Sequence, residues 1–232
     1  MNREGSSLPL LKRQRSHVLL VLSRPRVGRT AEFLEWFQGA YRFAVLACDS
    51  VLGGQQYEQH EIDITEGRYS RLPFKYLGLY EISVDGVQAA SALIEQVAAL
   101  HRAQDAAEAP ATWLYYPACE KVGAPPPVHP SMLTIAFANP VPGKEAEFRE
   151  WYATRHIRHA LHIPALVSGQ YFERAAFQRP GALEARFQAI AIYEQAGTPE
   201  DILASFESIP LSTFDFPMLD ATRFAESVYR PV

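Results

Sequence analysis

The sequence GRTAEFLEWF at residues 28–37 returns as GKEAEFREWY at residues 143–152, an offset of 115 positions. The same offset holds without a gap from the pair 16/131 to the pair 58/173, and twelve of these 43 pairs are identical. Unrelated segments would share roughly three. Further matches, Tyr80-Glu81 with Tyr193-Glu194 and Ala111-Thr112 with Ala221-Thr222, drift to offsets of 113 and 110. The chain is therefore a tandem repeat of two units.

Each unit has about 100 residues, which is the size of a small domain rather than of a solenoid repeat. Apolar runs rich in β-branched residues predict strands, and the spacing of Phe33, Trp36 and Phe37 is typical of an amphipathic helix. In unit one we predict strands at residues 17–23, 51–60, 74–84 and 113–119 and helices at 30–42 and 87–103. In unit two we predict strands at 132–138, 166–175, 187–194 and 223–229 and helices at 145–156 and 199–208. This order, βαββαβ, is ferredoxin-like.

The domain organisation follows from the repeat. We predict a flexible N-terminal tail over residues 1–15, unit one over 16–120, a proline-rich linker over 121–130 and unit two over 131–232. A four-stranded sheet with both helices on one face leaves its other face open, yet that face also carries apolar residues here. We therefore expect the two sheets to cover each other, so that one chain forms an α+β barrel as an intramolecular pseudo-dimer.

Composition excludes several classes of function. The 22 Lys and Arg residues against 26 Asp and Glu residues give a net charge of −4, with no basic footprint for nucleic acid or an anionic membrane. The apolar run at residues 18–22 is too short to span a bilayer. Two cysteines, Cys48 and Cys119, exclude a disulfide scaffold and fit a reducing compartment. We predict a cytoplasmic protein that binds neither nucleic acid nor membrane.

Residues 142–157, PGKEAEFREWYATRHI, resemble the first-helix signature of the dimeric α/β-barrel superfamily, particularly of its EthD-like branch. That signature has a Gly, an acidic-Phe pair, Trp-Tyr and then a His one turn later. Residues 163–173, IPALVSGQYFE, resemble the turn and second strand that follow it. Unit one keeps the pattern in part, with Trp36-Phe37 for Trp-Tyr and Tyr41 in place of the His. The resemblance implies a barrel of two ferredoxin-like units.

The candidate catalytic residues are Tyr152 and His156. They are four residues apart, so they share one face of a helix. A histidine can move a proton near neutral pH, and a tyrosine on the same face can orient it or donate to a carbonyl group. The resemblance places this His near a cavity between helix and sheet. In the alternative interpretation, Tyr152 is a core residue and His156 caps the C-terminus of the helix.

Five further residues are predicted to bind substrate. In unit one, Arg42 can hold an anionic group as a fork, beside the diverged position of Tyr41. In unit two, Gln170 is matched by Gln55 of unit one, which indicates either a contact between the units or a polar group facing the cavity. The complete predicted set is Tyr41, Arg42, Phe148, Arg155 and Gln170.

No metal site is predicted, although His156, His159 and His162 recur every three residues. On a helix the third of them lies on the opposite side from the first, and no acidic residue interrupts the run as a ligand. The sequence has no nucleotide-binding or nucleophile-elbow motif, so we predict no cofactor. Haem stays an alternative, because the superfamily includes haem proteins and His156 can serve as an axial ligand.

The function that these observations favour is binding of a small apolar or aromatic molecule. The resemblance implies a cofactor-independent enzyme of the isomerase, dehydratase (lyase) or monooxygenase type, with His156 as the acid–base group. Three alternatives remain open at this point: a non-catalytic ligand-binding or accessory protein, a haem-binding protein of the same fold, and a purely structural part of a larger assembly. The substrate, and any further homo-oligomer beyond the pseudo-dimer, are left open by the sequence.

Overall fold

The computed structural model describes residues 15–179, 186–209 and 216–232. Unit one runs in the order β1 (His17–Ser23), α1 (Thr30–Trp36), a π-helical turn (Phe37–Tyr41), α2 (Arg42–Leu46), β2 (Val51–Gln59), β3 (Tyr76–Ile82), α3 (Gly86–Arg102) and β4 (Ala111–Pro117). The order in unit two is β5 (Val122–Gly123), β6 (Leu133–Ala138), α4 (Glu145–Trp151), a π-helical turn (Tyr152–His156), α5 (Ile157–Ala160), β7 (Leu166–Arg174), β8 (Ala189–Gln195), α6 (Pro199–Glu207), a 3₁₀ turn (Ala221–Arg223) and β9 (Ala225–Pro231).

Eight strands close into one antiparallel barrel. Unit one contributes the order β4-β1-β3-β2 and unit two the order β9-β6-β8-β7. The units join at two seams, where β2 pairs with β9 and β4 pairs with β7. The short β5, within the predicted linker, adds to the beginning of β7. The predicted pseudo-dimeric α/β barrel is therefore confirmed.

Alternating side chains of the strands build two kinds of core. In β1, Leu20 points into the barrel, where it belongs to one apolar cluster with residues of both units such as Trp113 and Ile135. The next residue, Val21, points outward and packs under the helices of unit one. A separate outer cluster lies under the helices of unit two. Both faces of each sheet are thus covered, and burial of apolar surface holds the two units together.

The strand register corrects the repeat alignment near the end of each unit. Leu20 pairs with Trp113, and its equivalent Ile135 pairs with Ser227, so β4 and β9 correspond at an offset of 227 − 113 = 114. Ala111 is therefore equivalent to Ala225, and both lie in the barrel interior. The match of Ala111-Thr112 with Ala221-Thr222 is wrong, because Ala221 and Thr222 form a 3₁₀ turn that the side chain of Asp220 caps.

The first helix of each unit is longer than its pattern predicts. A π-helical turn follows α1 and α4, and one more α-helical segment then continues to Leu46 and to Ala160. His156 is the last residue of the π-helical turn, so the alternative that it caps the C-terminus of the helix is wrong. Turns of this kind are rare and occur frequently at functional sites.

Candidate functional site

A partly open cavity lies in unit two, between the outer face of the sheet and the helices. The cavity has a volume of about 60 Å³. Most of its wall is aromatic or aliphatic, and its five ionisable side chains are those of Tyr69, Tyr152, His156, Tyr193 and Glu226. A mostly apolar cavity with a few converging polar groups is the usual form of a small-molecule site.

The π-helical turn brings Tyr152 and His156 to this cavity together. Their ring centroids are 4.5 Å apart, and the ring of Trp151 lies 4.4 Å from that of His156. Burial lowers the pKa of His156 to about 3, with a smaller contribution from His159. Burial also raises the pKa of Tyr152. At pH 7 the site therefore contains a neutral imidazole and a protonated phenol.

Glu226 is a site residue that the sequence analysis missed. It lies in β9 and lines the cavity from the sheet. Its carboxyl group makes no hydrogen bond or ion pair with the residues that the structure describes. Burial raises the pKa of Glu226 to about 7, and the charge of Asp63 adds to the shift. The alternation of Phe224, Glu226 and Val228 was the available indication, because it places a carboxylate on an apolar strand face.

Tyr193, in β8, adds a second phenol to the wall. Its hydroxyl group is buried and has no hydrogen-bond partner in the described part of the chain. Burial raises its pKa, with further contributions from Tyr152 and Glu226. A buried hydroxyl group without a partner destabilises the folded protein unless a ligand or water accepts a hydrogen bond from it. The hydroxyl group is therefore available to a ligand oxygen.

A loop of unit one completes the site in unit two. Ile64, Thr65 and Tyr69 line the cavity, and the backbone N–H of Glu226 donates to the carbonyl of Ser70 at 3.1 Å. The carboxylate of Asp63 accepts from the backbone N–H and the hydroxyl of Thr65 at 2.9 and 2.6 Å. Although burial opposes it, these bonds lower the pKa of Asp63. The loop therefore holds a negative charge near Glu226.

The other predicted binding residues of unit two lie elsewhere. Phe148 is buried beside the ring of Tyr152, at 5.0 Å between centroids, and lines a second, more polar cavity around Glu173. Arg155 is exposed to solvent. Gln170 joins unit two to the preceding part of the chain, because its side chain accepts from Arg15, the last residue of the predicted tail, and donates to the carbonyl of Cys119 in unit one at 2.8 Å. None of the three lines the cavity of His156.

In unit one, Tyr41 stands where His156 stands in unit two, and it is 1% exposed. Its ring packs on Trp36 at 4.6 Å and against the edge of His101 at 5.4 Å. Arg42 donates to Gln55 at 3.4 Å. Aromatic side chains thus fill the space next to Tyr41, and neither Tyr41 nor Arg42 lines the cavity of unit two.

Residues 15–179, 186–209 and 216–232 contain no group of three or more His, Cys, Asp or Glu side chains placed to hold a metal ion. His159 and His162 approach each other at 5.6 Å between ring centroids, without a third such side chain. In the same ranges no helix is both long and apolar enough to cross a membrane.

No protein-family profile matches the sequence, and no curated protein matches it. Solved structures match its fold at low identity. A candidate monooxygenase from Fusobacterium nucleatum has a TM-score of 0.57 at 10% identity, covering 94% of each chain. An anthrone oxidase-like protein has a TM-score of 0.56 at 9% identity, covering 95% of this chain and 92% of that one. A candidate chlorite dismutase has a TM-score of 0.55 at 11% identity, covering 94% and 95%.

At these identities the similarity shows the fold alone. Together with the closed eight-stranded barrel, it shows that this chain has the dimeric α/β-barrel fold, with both halves in one polypeptide.

Proposed function

We propose that the cavity of unit two binds a small uncharged molecule, or the apolar end of a larger one, and that the chain is an acid–base enzyme without a cofactor. The observation that carries the proposal is the convergence of Tyr152, His156 and Glu226 on one apolar cavity. Ionisable groups with strongly shifted pKa values are characteristic of catalytic sites. The solved structures of similar fold include proteins named as monooxygenases and as anthrone oxidase-like, which supports an enzymatic role.

Tyr152 and His156 have the role of positioning the substrate in this proposal. Both are electrically neutral at pH 7, because burial disfavours the charged form of each side chain. A neutral imidazole and a phenol can each donate one hydrogen bond to a substrate oxygen. Their aromatic surroundings add apolar contact and exclude water, which strengthens these hydrogen bonds.

Haem does not fit this cavity. A haem macrocycle is many times larger than this space of about 60 Å³. The rings of Trp151 and Tyr152 also lie within 4.5 Å of the His156 ring, so a macrocycle next to that ring would displace them. A non-catalytic binding protein remains the second candidate, since the same apolar wall supports binding without chemistry.

The binding test uses the two equivalent tryptophans. We would titrate the protein with 2-butanone, and with phenol as a larger aromatic probe, and follow the indole N–H signals by NMR. Trp151 lines the cavity and Trp36 holds the equivalent place in unit one. The proposal expects a saturable shift at Trp151 and none at Trp36.

A cavity-filling variant sharpens this test. Ala160 lines the cavity, and Ala160→Leu fills part of it. We expect the shift at Trp151 to disappear in this variant and to persist in the control Ala153→Leu, whose site is outside the lining. Equal shifts at both tryptophans, or no effect of Ala160→Leu, would contradict a binding site here.

The same proposal includes the family branch, the cellular location and the chemical class of the ligand. The EthD-like signature at residues 142–157 supports placing the chain in that branch, and the two free cysteines, Cys48 and Cys119, support a cytoplasmic location. The proposed ligand is small and apolar or aromatic, as the wall of the cavity suggests.

A further inference from the structure

We infer that Glu226 is the proton-transferring group of this site, and that the substrate class is small uncharged ketones with a hydrogen on the carbon next to the carbonyl. This inference rests on the proposed function, since it requires that the cavity bind substrate. It assigns the proton transfer to a residue of β9 rather than to the histidine of the helix.

The geometry separates the two candidates. Glu226 is a carboxyl group in an apolar wall, without a described partner to neutralise it or accept its proton. His156 is packed against the rings of Trp151 and Tyr152 and is a weak base, because burial lowers its pKa to about 3. A general base works best when its pKa is close to the working pH. The pKa of about 7 fits Glu226 to that role.

The phenols of Tyr152 and Tyr193 can donate hydrogen bonds to the oxygen of the substrate, which the Glu226 carboxylate cannot do. Tyr193 has a buried hydroxyl group without a partner in the described ranges, and Tyr152 lines the same cavity. Both remain protonated at neutral pH, since burial raises their pKa values. Donors fixed in an apolar site stabilise an oxyanion more strongly than water does.

The substrate class follows from these groups. The cavity contains a base and hydrogen-bond donors but no described cation, so the substrate brings in no anionic group that needs one. A carbonyl oxygen accepts from a phenol, and the adjacent C–H bond is acidic enough for a carboxylate once the oxyanion is stabilised. The available volume of about 60 Å³ limits the reacting part to a few heavy atoms.

The reaction that these groups support is isomerisation of a β,γ-unsaturated ketone. The Glu226 carboxylate takes a proton from the carbon between the carbonyl and the C=C bond. The electrons of that C–H bond form a dienolate, whose oxygen accepts hydrogen bonds from the phenols. The protonated Glu226 then returns the proton to the far end of the former C=C bond. The product is the conjugated ketone, Glu226 is again a carboxylate, and no oxidant or reductant is needed.

The charges around Glu226 determine its pH response. The ionisable groups that face it or act on it come from every neighbouring element: Tyr152 and His156 from the helical segment, Tyr193 from β8, and Asp63 and Tyr69 from the loop of unit one. Of these, Asp63 is the charged one at neutral pH, because its hydrogen bonds from Thr65 hold its pKa low. The rate should therefore rise with pH through about 7 and follow Glu226 alone.

The experiment uses 4-penten-2-one and follows formation of 3-penten-2-one by ultraviolet absorbance. We expect the wild-type protein to accelerate the reaction and Glu226→Gln to lose on the order of 10²-fold or more of that acceleration. Tyr193→Phe should lose less, and Glu226→Asp should retain part of the rate. The control Glu173→Gln changes a buried carboxylate outside this cavity and should retain the rate.

Two further measurements separate this inference from the proposed function. The ketone shift at Trp151 should persist in Glu226→Gln, because binding does not need the charge. The carboxyl carbon of Glu226, observed by ¹³C NMR without any ligand, should titrate near 7. Titration near 4.5, an unchanged rate in Glu226→Gln, or no acceleration by the wild-type protein overturns the inference. If the wild-type protein shows no saturable ketone shift at Trp151, the proposed function is overturned as well.

Discussion

Tyr41 and His156 end equivalent turns, of which the one in unit one is kinked at Gly39, and their surroundings differ. Tyr41 packs between Trp36 and His101, which comes from α3 of unit one. His156 lies at an open cavity next to Trp151. Aromatic rings therefore pack around Tyr41 in unit one, whereas the equivalent residue of unit two borders a cavity. Residues 64, 65 and 69 of unit one line the same cavity, so its wall is built from both halves of the chain.

This asymmetry predicts the effect of giving unit two the residue of unit one. His156→Tyr places a larger ring at the cavity, so we expect at least a tenfold loss of 2-butanone binding, equivalent to about 1.4 kcal/mol. The measurement is the NMR titration at Trp151. The control is His159→Tyr, the same substitution at a position outside the cavity lining. Unimpaired binding in a folded His156→Tyr protein would show that the ligand does not approach this residue.

The glycines repeated at 54 and 169 predict a matched pair of destabilised variants. A Cβ atom at Gly54 would lie 2.3 Å from the ring of Tyr80, and one at Gly169 would lie 2.6 Å from the ring of Tyr193. Gly54→Ala should cost more, because the carbonyl oxygen of Leu79 lies at 2.8 Å and cannot move aside as a ring can.

We expect each of these two variants to lower the free energy of unfolding by about 1–3 kcal/mol in urea denaturation. Gly53→Ala is the control, since nothing lies within 4 Å of a Cβ atom there. Similar losses at all three positions would mean that strand flexibility, and not the tyrosine rings, explains these glycines.

The sequence predicted the barrel because the repeat and the apolar faces act over the whole chain. It also placed Tyr152 and His156 on one face of a helix, and the two rings do lie together at the cavity, because a spacing of four residues keeps them close in the π-helical turn as well. Glu226 was missed because its equivalent in unit one is Thr112, so the repeat contains no matching carboxylate. Thr65 of unit one lines the cavity of unit two only because the barrel closes, and no local sequence pattern predicts that contact.

An ion-pair network at one end of the barrel predicts strong effects of single charge removals. Glu81 and Glu194 are equivalent residues; Glu81 binds Arg15, and Glu194 binds Lys121 and accepts from Ser168 at 2.6 Å. The side chain of Glu194 is 5% exposed. Lys121→Met leaves this carboxylate buried without its cation, which should cost about 3 kcal/mol of stability.

Addition of Glu194→Gln to Lys121→Met should recover most of that loss, because the buried charge is then removed. The control is Arg29→Met, which breaks an exposed pair with Glu32 and should leave the stability nearly unchanged. Urea denaturation of the two single variants and the double variant measures these differences. A double variant as unstable as Lys121→Met would show that the loss comes from the lysine stem and not from the buried charge.

Glu226 predicts a distinctive dependence of stability on pH. Its pKa is about 7 in the folded protein, against an ordinary value of 4.5 in the unfolded chain. Between these values the folded state holds a proton that the unfolded state has lost, so the free energy of unfolding falls as pH rises from 4.5 to 7. The pKa difference of 7 − 4.5 = 2.5 corresponds to roughly 3 kcal/mol of stability.

The variant Glu226→Gln lacks this loss, so its stability relative to the wild-type protein should increase from pH 4.5 to 7 and stay constant above pH 7. His156 and His101 act in the opposite direction, since burial lowers their pKa values to about 3 and about 4, but they are present in both proteins and cancel in the difference. Urea denaturation of both proteins at pH 4.5, 6 and 8 gives the comparison, and a difference that does not change with pH would mean that the carboxyl group of Glu226 titrates normally.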